Sequence, residues 1–563
     1  MLSKKNSRIT IEHQDNDFLY TKKKSNLDIS FNRISFIFFV FFIIFFIYSI
    51  HLIHLGSRKI DFRPENDFNK LSNNLYRADI VDRNGGYLVK TVSSIDIGIS
   101  SKKVIDKEKL LLNLKYIFPD KDYKKIESNL KNKNFFYFEK KISNENYEKI
   151  MQLGDKSIQP EEKLTRVYPE KNLFSHIIGQ IDNDNNGISG LEKSLDEDLK
   201  KIQRPIRLTV DKDIQFLIRK ELIKFNEIFR TKGSAAILMS VDSGEIFSLV
   251  SLPDFDPNKR EKIDDVNLIN RATKGVYEFG SVFKTFTLAA AFNEKVIEPE
   301  TVFIDLPKSL SCAGFLIREY DNKIPSDLSA EQILIRSGNI GSVRIAQKVG
   351  EEKFKLFLTK LGILEKIDFD IEEVGKPINF NWGKCPLATA SFGHGITTTL
   401  LQIVKAYSIL VNGGFAVEPF LIKKNQKINK TKILNEDVSD KILPILRKIV
   451  TNKEGTANLA NVNGYEIGGK TGTANKSLDG GYSNKKINTF ISTFPTSKPK
   501  FILAVMLDEP EINNDYIYEY RDGSDFKLKG SPRNTAGWNS VEVAGHIVEK
   551  IGPILATKYS EFN

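Results

Sequence analysis

The sequence predicts an α+β body, an antiparallel sheet flanked by helices, carried behind a single membrane-spanning helix. Three observations predict it. Residues 34–55 form an uncharged apolar run long enough to cross a bilayer. Strand patterns stand at both ends of the second half of the chain, with helical patterns between them. Between the span and that body lies a Lys- and Asn-rich stretch of mixed character, which ends near Pro205.

The span comes first. ISFIFFVFFIIFFIYSIHLIHL is longer than the apolar core of a cleaved signal peptide and ends in His54, Leu55, Gly56, Ser57, Arg58, with no small-residue cleavage pattern. It reads as an uncleaved anchor. Lys4, Lys5, Arg8, Lys22, Lys23, Lys24 and Arg33 precede it, so the N-terminus is expected in the cytoplasm and everything after Gly56 outside it, although Arg58 and Lys59 follow the span directly. The expected organisation is a cytoplasmic tail (1–33), the transmembrane helix (34–55), an N-terminal domain (56–205) and a larger domain (206–563).

In the exported part, DIVDRNGGYLV reads as two strands around an Asn-Gly turn. Residues 106–153 read as helical and charged. After Pro205, IRLTVDKDIQFLIRKELIKF reads as a strand running into a long amphipathic helix. GSAAILMSVDSGEIFSLVS reads as two antiparallel strands around Asp242-Ser243-Gly244. INTFISTFP and KFILAVML read as another antiparallel pair, and VEVAGHIVEKIGPIL as a closing amphipathic helix.

The composition narrows the function. With 40% hydrophobic and 28% charged residues the chain is globular rather than disordered. Its formal charge of +11 would suit a nucleic-acid partner, but the basic residues are scattered and never interleaved with aromatics as a nucleic-acid groove requires. The six histidines show no metal-ligand spacing, and no metal or cofactor is expected. Cys312 and Cys385 form no CxxC; they could bridge in an oxidising compartment or stand apart as small core residues, and the sequence leaves both open.

Three motifs carry chemistry. In Ser281-Val-Phe-Lys284 the serine follows Gly280 and opens an apolar helix, where unpaired backbone N–H groups favour developing negative charge. Lys284 lies one turn along on the same face, and a lysine can take a serine's proton when burial lowers its pKa. The pattern alone is weak. Ser100/Lys103, Ser128/Lys131, Ser483/Lys486, Ser497/Lys500 and Ser524/Lys527 match it too, and are assigned to solvated surface. Ser337-Gly-Asn339 falls in a turn between two helical patterns. Gly469-Lys470-Thr471-Gly472-Thr473 reads as an edge strand whose Lys470 and hydroxyls can hold a carboxylate. Gly464 to Thr471 also fits the phosphate-binding pattern GxxxxGK[ST], but ANKSLDGGYSNKK after it reads as a loop, where a phosphate loop needs a helix.

SxxK, SxN and KTG in that chain order form the signature of penicillin-interacting serine acyl-transferases. The chain resembles a class B penicillin-binding protein, a peptidoglycan D,D-transpeptidase, over nearly its whole length. Arg77-Ala-Asp-Ile-Val-Asp-Arg-Asn-Gly85 resembles the start of that family's non-catalytic pedestal, and Arg166-Val-Tyr-Pro169, Gly179 and Gly190-Leu-Glu192 its later motifs. Leu208-Thr-Val-Asp211, Asn270-Arg-Ala272 and Ser391-Phe-Gly-His-Gly395 resemble parts of its transpeptidase domain. Phe279 stands where proline is usual, and His394 where glutamine is usual.

The resemblance implies the penicillin-binding/transpeptidase fold and a stem-peptide donor ending in D-Ala-D-Ala. It implies Ser281 as nucleophile and Lys284 as general base, with Ser337 relaying a proton and Asn339 positioning the donor and Lys284. It further implies that Lys470, Thr471 and Thr473, around Gly472, hold the donor's carboxylate, and that the N–H groups of Ser281 and Thr473 face the oxyanion. β-Lactams would be inhibitors. Thr535-Ala-Gly-Trp-Asn539 and Asp508-Glu-Pro510 resemble the division-specific, FtsI-type branch. That branch implies septal synthesis at the inner membrane with a periplasmic catalytic domain, an FtsW-type glycosyltransferase and other divisome proteins as partners. An elongation-specific transpeptidase, a hydrolase and a non-catalytic penicillin-binding scaffold are the alternatives.

Overall fold

The computed structural model describes residues 31–57, 76–259, 268–312, 314–423, 431–478 and 481–559. Helix α1 (Phe31–Ser57) contains the apolar window Phe36–Ile53, none of it buried. This Phe- and Ile-rich window has the length and composition a bilayer requires. The basic residues 4–24 and the pair 58–59 that set the expected orientation lie outside the described residues.

The body begins as a small sheet. β1 (Ile80–Val81) turns through Asn84-Gly85 into β2 (Tyr87–Ser100), which pairs antiparallel with β3 (Phe135–Glu139) and with β4 (Ile158–Val167). Residues 106–153 are not helical throughout. Helices Lys107–Ile117, Tyr123–Asn132 and Asn144–Gln152 are interrupted by β3. The four-residue run Phe135-Phe-Tyr-Phe138 alternates exposed and buried, so Phe136 and Phe138 enter a core with Ile97, Leu110, Leu114 and Ile126; period-two burial wins over helix here.

The pedestal motifs meet in one buried cluster. Glu192 accepts from Arg77 Nε and Nη2 (3.0 and 2.7 Å), from Arg166 Nε (2.8 Å) and from the Tyr168 hydroxyl (3.3 Å). Arg77, Arg166 and Glu192 are all buried, so each of these charges finds its compensation inside the cluster. Beyond Pro205 the expected strand is only β5 (Ile206–Arg207), and it pairs parallel with β1. The chain therefore leaves the small sheet through a strand of that sheet. Ile80, Leu88 and Val89 belong to the same core as the larger domain.

Asp211 then caps α2 (Lys212–Ile228), accepting from Ile214 N, and Ile214, Ile218, Leu222 and Phe225 form its buried stripe. The main sheet contains β6 (Gly233–Ser240), β7 (Ile246–Leu252), β8 (Gly468–Leu478), β9 (Gly481–Phe494) and β10 (Phe501–Asp508) in the order β8-β9-β10-β6-β7. All four pairings are antiparallel. β6 and β10 pair over their full lengths although more than 260 residues separate them (from 240 to 501), which closes the domain as expected. In the segment read as a loop, residues 474–478 are instead the far end of β8 and residues 481–486 the start of β9. Their side chains are polar and partly exposed, so ladder hydrogen bonds rather than an apolar pattern hold them. The closing helix, α9 (Ser540–Lys558), packs on α2 and the sheet. Between the strands, α3 (Phe283–Asn293), α4 (Ala330–Ile335), α5 (Asn339–Val349), α6 (Lys384–Ala390), α7 (Leu400–Val411) and α8 (Asp437–Thr451) supply the remaining walls. Cys312 and Cys385 are joined by a disulfide, with their Cα atoms 5.6 Å apart.

Candidate active site

The three motifs converge on one cleft of about 750 Å³. Ser281, Ser337, Asn339, Thr471 and Thr473 line it, while Lys284, Lys470 and Gly472 stand behind its wall. Ser281 sits in the helical turn Gly280–Val282 that leads into α3, as its N-terminal reading required. The turn is held by the Tyr407 hydroxyl on α7, which bonds Val282 O (3.0 Å) and Thr285 Oγ1 (2.8 Å).

Backbone proximity explains two glycines. Gly280 has φ +54°, and a Cβ there would lie 2.6 Å from Thr473 O; one on Gly472 would lie 2.2 Å from Phe279 O. The serine turn therefore lies directly on β8, the edge strand of the sheet, and only residues without side chains allow it.

Ser337 links the two lysines. It occupies the turn between α4 and α5 at φ +57°, and its Oγ accepts from Lys284 Nζ (3.2 Å) and Lys470 Nζ (3.0 Å). Lys284 also donates to Ser337 O (2.5 Å) and Asn339 Oδ1 (2.7 Å). Lys470 also donates to Thr471 O and Oγ1 (3.0 and 3.3 Å). The Lys284 hydrogen bonds run to Ser337 and Asn339, and none runs to Ser281 Oγ. Burial pushes the Lys284 ammonium down to about 7, against a smaller opposing pull from Glu319. Burial, then the charge of Lys284, holds Lys470 well below the usual lysine range.

Several contributors escaped the sequence reading. Glu319 caps α5, accepting from Asn339 N (2.7 Å) and Ile340 N (2.9 Å), and Arg318 O accepts from Asn339 Nδ2 (2.7 Å). Twenty residues separate Glu319 from Asn339, with no spacing that would reveal the pairing. Thr456 Oγ1 lies 2.7 Å from Thr471 Oγ1, and Ala536 N donates to Thr473 Oγ1 (3.0 Å). Lys486, assigned to solvated surface, is half-buried and lines the cleft. His394 stacks on Tyr482 (4.5 Å between centroids) at the cleft wall, 3.8 Å from Glu278. The phosphate-loop alternative fails, because Lys470 and Thr471 lie inside a strand. Among the described residues no cluster of His, Cys, Asp or Glu could hold a metal ion.

Residues 234–524, just over half of the chain, match the family described as penicillin binding protein transpeptidase domain. The chain belongs to this family. This penicillin-binding protein also matches the penicillin-binding protein dimerisation domain over residues 73–221. It is 28% identical to the "Probable peptidoglycan D,D-transpeptidase FtsI" of Caulobacter vibrioides, over 86% of this chain and 82% of the relative. It is 30% identical to stage V sporulation protein D of Bacillus subtilis, over 81% and 76%. The crystal structure of apo penicillin binding protein 3 from Mycobacterium tuberculosis shares the fold, with a TM-score of 0.64 at 21% identity over 85% of this chain and 97% of that one.

Proposed function

We propose that this penicillin-binding protein is a peptidoglycan D,D-transpeptidase that works through an acyl-enzyme on Ser281. The observation that carries the reading is Ser337 Oγ bonded to both Lys284 and Lys470, which unites three motifs spread over 190 residues (281 to 470) at one cleft. In the acylation step Ser281 Oγ attacks the penultimate D-Ala carbonyl and gives its proton to neutral Lys284. The N–H groups of Ser281 and Thr473 face the oxyanion, a contribution typically worth about two to three orders of magnitude per donor. The C–N bond then breaks, and the terminal D-Ala leaves as an amine protonated through Ser337. Asn339 positions the donor and Lys284, and Lys470, Thr471 and Thr473 hold the donor's carboxylate. An amine of a neighbouring stem peptide attacks the ester, forms the cross-link and returns the proton that frees Ser281. β-Lactams enter as donor mimics and remain as the Ser281 ester.

The relative named FtsI supports a septal role, with an FtsW-type glycosyltransferase and divisome proteins as partners. The basic flank before α1 supports a single pass of the inner membrane with the cytoplasmic end first, and the Cys312–Cys385 bond supports a periplasmic body, since disulfides persist in oxidising compartments. We read residues 206–563 as the transpeptidase domain and 56–205 as its pedestal. A hydrolase would need an acid to activate water; among the described residues the acid lining the cleft is Asp321, engaged with Arg533 (3.3 Å).

The test is a fluorescent penicillin on the full chain in detergent, with Ser281→Ala beside it. A stable adduct on the wild type that is lost in the variant is expected. An adduct that survives Ser281→Ala, or none on folded wild type, refutes the reading.

A further inference from the structure

Lys486 is the conspicuous cation of the cleft. Three neighbouring lysines lie on the β8–β9 hairpin. Lys476 pairs with Asp508 and Glu509 (2.8 and 2.7 Å), and Lys485 with Glu509 (2.6 Å). Lys486 instead reaches the cleft, where its Nζ donates to Asn534 O at 2.9 Å and has no carboxylate partner among the described residues. An ammonium has three donors, so this one keeps two unused. Arg533, the other lysine or arginine lining the cleft among the described residues, is already paired with Asp321. Burial lowers the pKa of Lys486.

Its position follows from the register. Thr473 pairs with Asn488 and Asn475 with Lys486, so Thr471, Thr473, Asn475, Asn488 and Lys486 share one face of the sheet. Thr471, Thr473, Asn475 and Lys486 all line the cleft. If the donor's terminal carboxylate lies at Thr471 and its acyl carbonyl at Thr473, the rest of the peptide continues past Asn475, about 7 Å further along the strand.

We propose that Lys486, beside the Asn534 carbonyl, forms a subsite for a carboxylate on the donor residue that precedes the D-Ala pair. The inference rests on the Ser281 acyl-enzyme reading. The subsite selects acidic side chains at that residue and leaves the acylation chemistry unchanged.

Two penicillins test it. In a penicillin the acyl side chain takes the place of the residue before the D-Ala pair. Benzylpenicillin and carbenicillin share their nucleus and phenyl group, and carbenicillin adds a carboxylate at the side chain's α-carbon. Second-order acylation rates are measured on full-length wild type, Lys486→Gln and Lys486→Arg, with thermal melts of each. Lys486→Gln should slow carbenicillin about tenfold, as expected for loss of one charge-assisted hydrogen bond. It should change benzylpenicillin less than about twofold, and Lys486→Arg should restore carbenicillin. Equal slowing of both drugs would mean that Lys486 only holds the Asn534 segment and would overturn the proposal; so would no change with either. Wild type that neither drug acylates would overturn the Ser281 reading itself, and this proposal with it.

Discussion

Lowering the pH from 8 to 6 should slow acylation about tenfold, with the midpoint near neutrality rather than near the usual lysine value of about 10.4. The magnitude comes from Lys284. Its ammonium is buried, and burial pushes its pKa down to about 7. With Lys284 as the proposed base the reacting form is the neutral amine, so the active fraction is about nine-tenths at pH 8, about half at pH 7 and about one-tenth at pH 6. The sign follows: a base with a depressed pKa gains activity as pH rises through that pKa. Glu319 provides a second arm. Its carboxylate pulls the Lys284 pKa up, so Glu319→Gln should move the limb to lower pH. Stopped-flow acylation by a fluorescent penicillin between pH 5.5 and 9 measures both. A flat profile from pH 6 to 8, a rate that falls with rising pH, or a Glu319→Gln limb displaced upward would refute the assignment of Lys284 as the base.

Other perturbations reach separate parts of the structure. Glu192→Ala leaves the buried guanidinium groups of Arg77 and Arg166 facing each other without their shared carboxylate, and should cost about 3–5 kcal/mol in a denaturant melt. Gly280→Ala sets a Cβ 2.6 Å from Thr473 O at a positive φ; acylation should fall about ten- to a hundredfold, and near-wild-type rates would mean the serine turn does not need its contact with β8. Replacing Cys312 and Cys385 by serine opens a loop closed across 73 residues, for which chain entropy gives about 4 kcal/mol; a thermal melt of the double variant should show a loss of about 2–4 kcal/mol.

The sequence revealed most where one local rule decides. The stripe Ile214, Ile218, Leu222, Phe225 gave α2, and the continuous apolar run of β10 gave a strand buried on both faces. Arg77, Arg166 and Glu192, which carry the resemblance to the pedestal, form one electrostatic unit, although nothing in their spacing of 89 and 26 residues says so. Local rules failed where tertiary contacts decide. The Phe135–Glu139 strand stands in a Lys-rich helical context and is fixed by the core it enters. The β8–β9 hairpin has no apolar alternation beyond Thr473. Lys486 belongs to a Ser-x-x-Lys match of a kind that recurs by chance, yet the register with Asn475 brings it into the cleft. Glu319 acts through backbone N–H groups of a distant helix, and capping of that kind leaves no mark on the capping residue's own neighbourhood.

The position of Ser337 makes the two lysines one titrating unit. Its Oγ accepts from Lys284 and from Lys470, so both acceptor positions are taken and its hydrogen is left to donate elsewhere. Two ammonium groups that meet at one buried oxygen repel, and burial disfavours both charges, so the pair gives up a proton more readily than either lysine alone. On the proposed function, a donor carboxylate arriving at Thr471 changes the balance. It stabilises the charged form of Lys470, which already bonds Thr471 Oγ1 and O, and so leaves Lys284 as the neutral partner. On this argument the donor's own anion readies the base that will activate Ser281. A donor whose terminal carboxylate is converted to an amide should then acylate slowly even at saturating concentration, with the loss in the limiting rate as well as in affinity. Measured limiting rates that match those of the free acid would separate the two lysines and confine Lys470 to binding.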